Sequence, residues 1–170
     1  MCVKIPCCFS NIEEWSNMFC EIARNLTTTF LLTDCSDGFI HHDGYCFGYF
    51  PQKLNWTQAQ AACNAVGAFL AEPKSLEQEI LIEGLILHGA IKEEYIWLGA
   101  NDMDAEGQWQ WATSKEDMDY TNWAPGQPDD GGVSQDCMRY KMTYHHWDDG
   151  ECRGHASFIC QEPYVTHIIG

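Results

Sequence analysis

Two short segments hold residues that could do chemistry together. The first is Gln127-Pro128-Asp129, and the second is the acidic pair Asp148-Asp149 directly after Trp147. A proline between two oxygen-bearing side chains fixes the backbone direction and by itself reads as a turn. With the second segment it supplies amide and carboxylate oxygens from what read as two loops. Hard cations such as Ca2+ bind oxygen ligands of this kind. A sugar hydroxyl could then complete the coordination sphere, so the pairing bears on function.

The elements that must hold these segments follow from pattern. From Gly99 to Asp136 glycine, proline, asparagine and aspartate dominate, so loops prevail. A loop tract this long in a compact domain is usually functional. One rich in acids needs something to hold it, and bound cations would do so. Upstream, residues 55–67 read as a helix, favoured by Ala59, Ala61, Ala62 and Ala65 and stopped by Gly67. Ser75 and Gln78 cap a second helix running to about His88. Tyr95-Ile96-Trp97-Leu98-Gly99 is a short buried strand, and residues 138–144 and 157–160 are closing strands. Asp43-Gly44, between Cys35 and Cys46, is a hairpin turn signal. Two helices followed by sheet and long loops give an α+β fold.

The first 34 residues form a separate stretch. Ser10 and Glu13 make a capping box, and Ile12, Trp15, Phe19, Ile22 and Leu26 form one apolar helical seam. The seam is short for a free helix. It is read either as a helix docked on the main domain or as a self-association helix locked by disulfides through Cys2, Cys7, Cys8 or Cys20. The resulting division is an N-terminal helical extension over 1–34, a main domain over 35–163 and a tail over 164–170.

Composition narrows the compartment and the partner. The chain of 170 residues carries 10 cysteines, too many for a reduced cytosolic protein of this size. No Cys-x-x-Cys occurs, and the adjacent pairs His41-His42 and His145-His146 seldom reach one ion together, so zinc is a weak reading. Net charge is -16, which repels nucleic acid and suits cation sites. No segment reaches the ~18 apolar residues of a membrane span. The first residues lack the apolar core of a signal peptide. The cysteines and the sequons at Asn25 and Asn55 nevertheless point to a secreted glycoprotein whose signal has been removed.

Over residues 35–163 the chain resembles the C-type lectin-like domain. Tyr95-Ile96-Trp97-Leu98-Gly99 is similar to that family's core signature, and Cys63, Cys137, Cys152 and Cys160 fall where its four framework cysteines fall. The resemblance implies the pairs Cys63–Cys160 and Cys137–Cys152, and an extra N-terminal bridge Cys35–Cys46 of the family's long form. Spacing alone leaves that pairing open. The implied fold has two helices flanking small antiparallel sheets, with a long Ca2+-binding loop region.

The resemblance also implies a ligand set. The principal Ca2+ takes Gln127 and Asp129, which flank a proline that is cis in this family, with Gln135, Asp148 and Asp149. An auxiliary Ca2+ takes Asp102, Glu106, Asp130 and Asp136. Two vicinal sugar hydroxyls bind the principal ion, and each also donates to a carboxylate and accepts from an amide. Glutamine before the proline and aspartate after it resembles the galactose-type lectins, whereas the mannose type carries glutamate and asparagine. Gln127, Asp129 and Asp148 are thus the sugar-binding candidates, with Tyr144, His145 or His146 as the aromatic partner of the sugar's apolar face. The alternative for those three is that Tyr144 ends a core strand and the histidines lie on the surface. Trp123 and Trp147 read as core anchors. Two positions depart from the family pattern: Gln135 stands where glutamate is expected and Asp148 where asparagine is commoner. One carboxylate is lost and one gained, so the formal ligand charge is unchanged, but Asp148 cannot donate as asparagine would. Protonation of His145 and His146 near pH ~6.5 would repel a nearby cation.

The leading reading is a secreted Ca2+-dependent lectin for galactose or N-acetylgalactosamine, with immune recognition as its broad setting. A shallow single sugar site is weak, about millimolar, so useful binding needs several sites and a homo-oligomer. The competing readings are a domain of this fold that binds protein and ignores sugar, and a modulator of calcium-mineral or ice surfaces. No nucleophile motif such as Gly-x-Ser-x-Gly occurs, and no enzyme is expected.

Overall fold

The structure, a computed structural model, describes residues 31–32, 35–42, 45–88, 91–131, 134–162 and 167–168. The N-terminal seam, Cys2, Cys7, Cys8, Cys20, the Asn25 sequon and the Asp43-Gly44 turn lie outside them. The chain divides into two compact units, and Asp34–Val165 is the larger. Strands β1 (Leu31–Leu32) and β10 (His167–Ile168) belong to the other unit and pair antiparallel.

The larger unit is built on one eight-stranded sheet. Its strands are β2 (Ile40–His42), β3 (Tyr45–Leu54), β4 (Phe69–Leu70), β5 (Tyr95–Asn101), β6 (Gln110–Trp111), β7 (Cys137–Lys141), β8 (His146–Gly150) and β9 (Ala156–Glu162). The main order is β2-β3-β9-β5-β7-β8, with β4 on β9 and β6 on β5. Small antiparallel sheets were expected. The sheet is instead mixed, because β5 and β9, distant in sequence, run parallel at its centre. A parallel pair needs a long crossover, and residues 102–155 supply it.

Helix α1 (Trp56–Ala65) begins where the sequence places it. Asn55 caps it: its side-chain oxygen accepts from the Gln58 N–H at 2.9 Å, and Gln58 Oε1 accepts from the Asn55 N–H at 3.2 Å. The Asn55 sequon thus lends its asparagine to a helix cap, and its middle residue Trp56 is buried. Helix α2 (Leu76–His88) starts at Ser75, whose hydroxyl accepts from the Gln78 N–H at 3.4 Å. Gln78 does not complete the expected box; its side-chain oxygen accepts from Lys74 N–H at 2.7 Å.

The central strands bury both faces. Ile96, Leu98 and Ala100 of β5 enter one apolar cluster with Ile82, Ile86, Met138, Tyr140 and Trp147, while Trp97 enters a second with Trp56, Cys63, Leu70 and Phe158. This is the period-2 alternation of a strand with no solvent face. Gly99 is required there: a Cβ would lie 2.4 Å from the Leu70 carbonyl oxygen. The bridges Cys35–Cys46, Cys63–Cys160 and Cys137–Cys152 are all formed, with Cα separations of 5.6, 5.5 and 5.2 Å.

Candidate functional site

The acidic pair does not sit on a loop. His146–Gly150 is strand β8, paired antiparallel with β7. Successive side chains of a strand face opposite sides, so Asp148 and Asp149 part company. Asp149 shares its side with Trp147 and turns toward the loop carrying Gln127. Its carboxylate accepts the Asp130 N–H at 2.7 Å and the Asp129 N–H at 3.2 Å. Asp148 shares its side with the β7 cations. It lies 3.0 Å from Lys141 Nζ and 3.4 Å from Arg139 Nη2, with its side chain 4% exposed.

Trp147 fixes the loop from below. Its N–H donates to the Asn122 carbonyl at 2.9 Å, and its own carbonyl accepts the Ala124 N–H at 2.8 Å. Its indole is fully buried and meets Trp111, Tyr120 and Trp123 edge to face. Its Nε1–H donates to buried Glu79 of α2 at 3.0 Å. Burial pushes Glu79 up to about 7, against the hydrogen bonds from Asn122 and Trp147 that favour its ionised form. Trp147 is thus a core anchor, as expected; Trp123 is half-buried beside it.

The Gln127-Pro128 bond is cis. Beyond it the loop folds on its own side chains. Asp129 Oδ1 and Gln135 Oε1 both accept the Gly131 N–H, at 3.1 and 2.7 Å, and Asp130 Oδ1 accepts the Gln135 N–H at 2.9 Å. Asp130 holds a left-handed backbone at φ 43°, a conformation aspartate tolerates better than most residues. On the facing loop, Asp102 donates its N–H to the Asp136 carbonyl at 3.2 Å and accepts the Gly107 N–H on Oδ2 at 2.8 Å.

Together these loops and Asp149 enclose a cavity of about 250 Å3. Asp102, Glu106, Asp129, Asp130, Gln135 and Asp149 line it, with Gly107, Trp109 and Pro128. Members of both expected ligand sets therefore meet in one place. Gln127, Asp136 and Asp148 do not line it. Tyr144 lies in the β7–β8 turn and is 51% exposed. The strand expected to end on Tyr144 stops at Lys141, because Tyr144 and His145 N–H groups fold back onto the Lys141 carbonyl. His145 Nδ1 meets the Tyr140 hydroxyl at 3.3 Å.

Among the described ion pairs none involves a carboxylate that lines the cavity. Burial pushes the Asp102 carboxyl up, the Gly107 N–H opposes this, and Asp136 and Asp149 add to the rise. Burial raises Asp149 as well. Exposed Glu106 is raised first by the charge on Asp102, with further contributions from Asp130 and Asp136. Two buried oxygens, Asp102 Oδ1 and Gln127 Oε1, have no hydrogen-bond partner. A buried acceptor left this way is costly, and a cation bound beside it would satisfy it. The donor set, carboxylates and amide oxygens, fits Ca2+. The carboxylates stand apart: among the described residues the only three His, Cys, Asp or Glu ligand atoms within 4.8 Å of one another are those of Cys35, Cys46 and Glu162, whose sulfurs are already bonded to each other.

The clamp of Asp148 by Arg139 and Lys141 and the support of Trp147 by Glu79 were not read from the sequence. A signal existed for the first. Lys and Arg number only 9, and two of them stand at alternate positions of the strand preceding the acidic pair.

Residues 52–162 match the family model for the lectin C-type domain. The chain belongs to the C-type lectin domain family. Relatives of this C-type lectin domain include perlucin from Haliotis laevigata, 30% identical over 139 residues, spanning 79% of this chain and 88% of that protein. Another is the galactose-specific lectin nattectin from Thalassophryne nattereri, 29% identical over 128 residues, with 75% of this chain and 80% of that one aligned. Among solved structures, the herring type II antifreeze protein superposes with a TM-score of 0.67 at 29% identity over 77% of this chain and all of its own. Members of this family are binding proteins. No helix among the described residues is long and apolar enough to cross a membrane.

Proposed function

We propose that this C-type lectin domain is a secreted, Ca2+-dependent lectin for terminal galactose or N-acetylgalactosamine. The observation that carries the reading is the buried, unpartnered Gln127 oxygen beside a cis proline, next to Asp129 and across from Asp149. Gln127, Asp129, Gln135 and Asp149 hold the principal cation, and Asp148 joins them only by leaving Arg139 and Lys141. Asp102, Glu106, Asp130 and Asp136, with Gln135, hold the auxiliary one. Bound at the principal site, Ca2+ offers two open positions to vicinal sugar hydroxyls. The Gln127 amide donates to one hydroxyl and the Asp129 carboxylate accepts from it, the arrangement that the galactose-type order provides. The name of nattectin, a galactose-specific relative, supports the same sugar class. Weak single sites make an oligomer useful, and Cys2, Cys7, Cys8 and Cys20 are the candidates to link it.

The test is retention on immobilised galactose in Ca2+, run beside a mannose column and eluted with EDTA. Retention on galactose alone, released by the chelator, is the expected result. Retention on mannose would overturn the sugar assignment. Retention on neither, with thermal hysteresis in ice-growth assays, would move the function to the ice surface suggested by the likeness to the herring protein.

A further inference from the structure

One residue along β8 from Asp149, at Asp148, lies a cluster of positive charge that the cation-and-sugar reading does not use. Arg139 and Lys141 stand at alternate positions of β7 and face Asp148 and His146 across the ladder. Among the described ion pairs both cations share Asp148 as their one carboxylate. Two positive charges on one negative leave an excess of one, in a chain whose net charge is -16. The hydrogen-bonding capacity is also unspent. Arg139 reaches both Asp148 oxygens only at 3.4 Å, well beyond the about 2.7–2.9 Å of a good charge-assisted bond. Its Nε is buried with no partner. The guanidinium is held in place over the Tyr95 ring at 3.9 Å, and the Lys141 ammonium lies 4.6 Å from the Tyr144 ring centre. Arg139 and Lys141 side chains are 18% and 19% exposed, so a small ligand group can reach them.

The cluster joins the site through β8. Asp148 is the residue next to Asp149, and Asp149 ties down the Asp129 loop. Asp148 is also the position at which the family's asparagine would offer a donor to the sugar. The carboxylate cannot, but its two neighbours carry the donors instead.

We propose, resting on the lectin reading above, that Arg139 and Lys141 form an anion-binding subsite that makes acidic galactosides the preferred ligands of this domain. The ligand class is a galactose bearing an anionic oxygen group, either a sulfate ester or a carboxylate. The planar Arg139 fork suits both geometries, and Lys141 supplies a point charge between Asp148 and the exposed Tyr144 ring.

The experiment is competition for a galactose column in Ca2+ by galactose, galactose 6-sulfate and galacturonic acid. An acidic competitor is expected to be about tenfold more effective than galactose, the scale of one added charge-assisted contact. The two acids separate the sources, and an advantage for either supports the subsite. Lys141→Gln and Arg139→Gln should each shrink that advantage, read as the ratio of acidic to neutral competitor within the same variant. In the unaltered protein the advantage should fall as NaCl rises, since exposed charges are screened. This last arm does not depend on any variant folding. Equal competition by all three sugars, or an advantage indifferent to both substitutions and to salt, overturns the subsite and leaves the lectin reading standing. Absence of retention on galactose and on a 6-sulfated galactose matrix overturns both.

Discussion

Gln135 spends its amide oxygen on the Gly131 N–H at 2.7 Å, inside a cavity where Asp102 is raised by burial and by Asp136 and Asp149, and Asp149 by burial and by Asp129. Replacing it by glutamate keeps the acceptor and adds a charge. Ca2+ affinity rises with ligand charge, so Gln135→Glu should bind Ca2+ about tenfold tighter in calorimetric titration. The same charge repels its neighbours when no cation is present, so the chelated variant should melt below the unaltered protein. A tighter site with an unchanged chelated melt would mean that the carboxylates do not sense one another. The residues flanking Pro128 allow a second test at this scale. Exchanging the amide and carboxylate, Gln127→Glu with Asp129→Asn, inverts the donor–acceptor order around the proline. Column retention should move from galactose to mannose. Retention that stays on galactose would show that the neighbouring loops, and not this pair, choose the sugar.

Helix α2 and strand β8 meet at one hydrogen bond. Glu79, 2% exposed, accepts the Trp147 indole N–H, and Trp147 in turn holds Asn122 and Ala124 at the foot of the Gln127 loop. Burial places the Glu79 carboxyl at about 7 against an ordinary value near ~4.5. The native state therefore binds more protons than the unfolded chain between about pH 4.5 and 7, and stability falls as pH rises through that window. The loss amounts to about 3 kcal/mol, from roughly 1.4 kcal/mol per pH unit. Glu79→Gln keeps the acceptor and removes the proton, so its melting temperature should vary less between pH 5 and 8 than that of the unaltered protein. Parallel pH profiles would show that Glu79 binds as many protons in the fold as in the unfolded chain, and so is ionised in both over this range. What sequence could reveal of these elements divides along physical lines. The helix caps at Asn55 and Ser75 are local and were readable, as was the apolar run of β5. Strand β3 was missed because its Tyr45–Leu54 run does not alternate and contains Pro51; the ladder to β9 is irregular between Phe50 and Leu54, where proline's missing N–H does least harm. Strand β8 was missed because His-Trp-Asp-Asp-Gly has poor strand propensity, and only pairing with β7 and burial of Trp147 make it one. The division of Asp148 from Asp149 follows from that strand, so the acidic and amide residues of the two segments were legible while the hydrogen-bond and ion-pair partners of each were not.

For the whole molecule, the excess of acid is both a cost and a handle. A net charge of -16 disfavours the compact state through self-repulsion, and the cavity concentrates part of it around a buried Asp102 oxygen that lacks a partner. The disulfides oppose this from the side of the unfolded chain. Cys63–Cys160 closes a sequence separation of 97, a loop whose closure removes about 4–5 kcal/mol of unfolded-state entropy in the chain-entropy account. A cation bound only by the folded form adds to that by mass action, about 2.7 kcal/mol at a hundredfold excess over its dissociation constant. For a domain of this size each kcal/mol moves the midpoint by about 2–4 °C, so saturating Ca2+ should raise the melting temperature by about 5–10 °C over the protein in EDTA. General screening of the acidic surface would also stabilise the fold, but NaCl would do that equally well and without saturating. Specific binding is therefore marked by a Ca2+ increment that levels off, persists in high salt and is lost in Asp149→Ala, which removes a cavity carboxylate. An increment reproduced by NaCl alone would reduce the acidic loops to a solvated surface and remove the cation on which the sugar site depends.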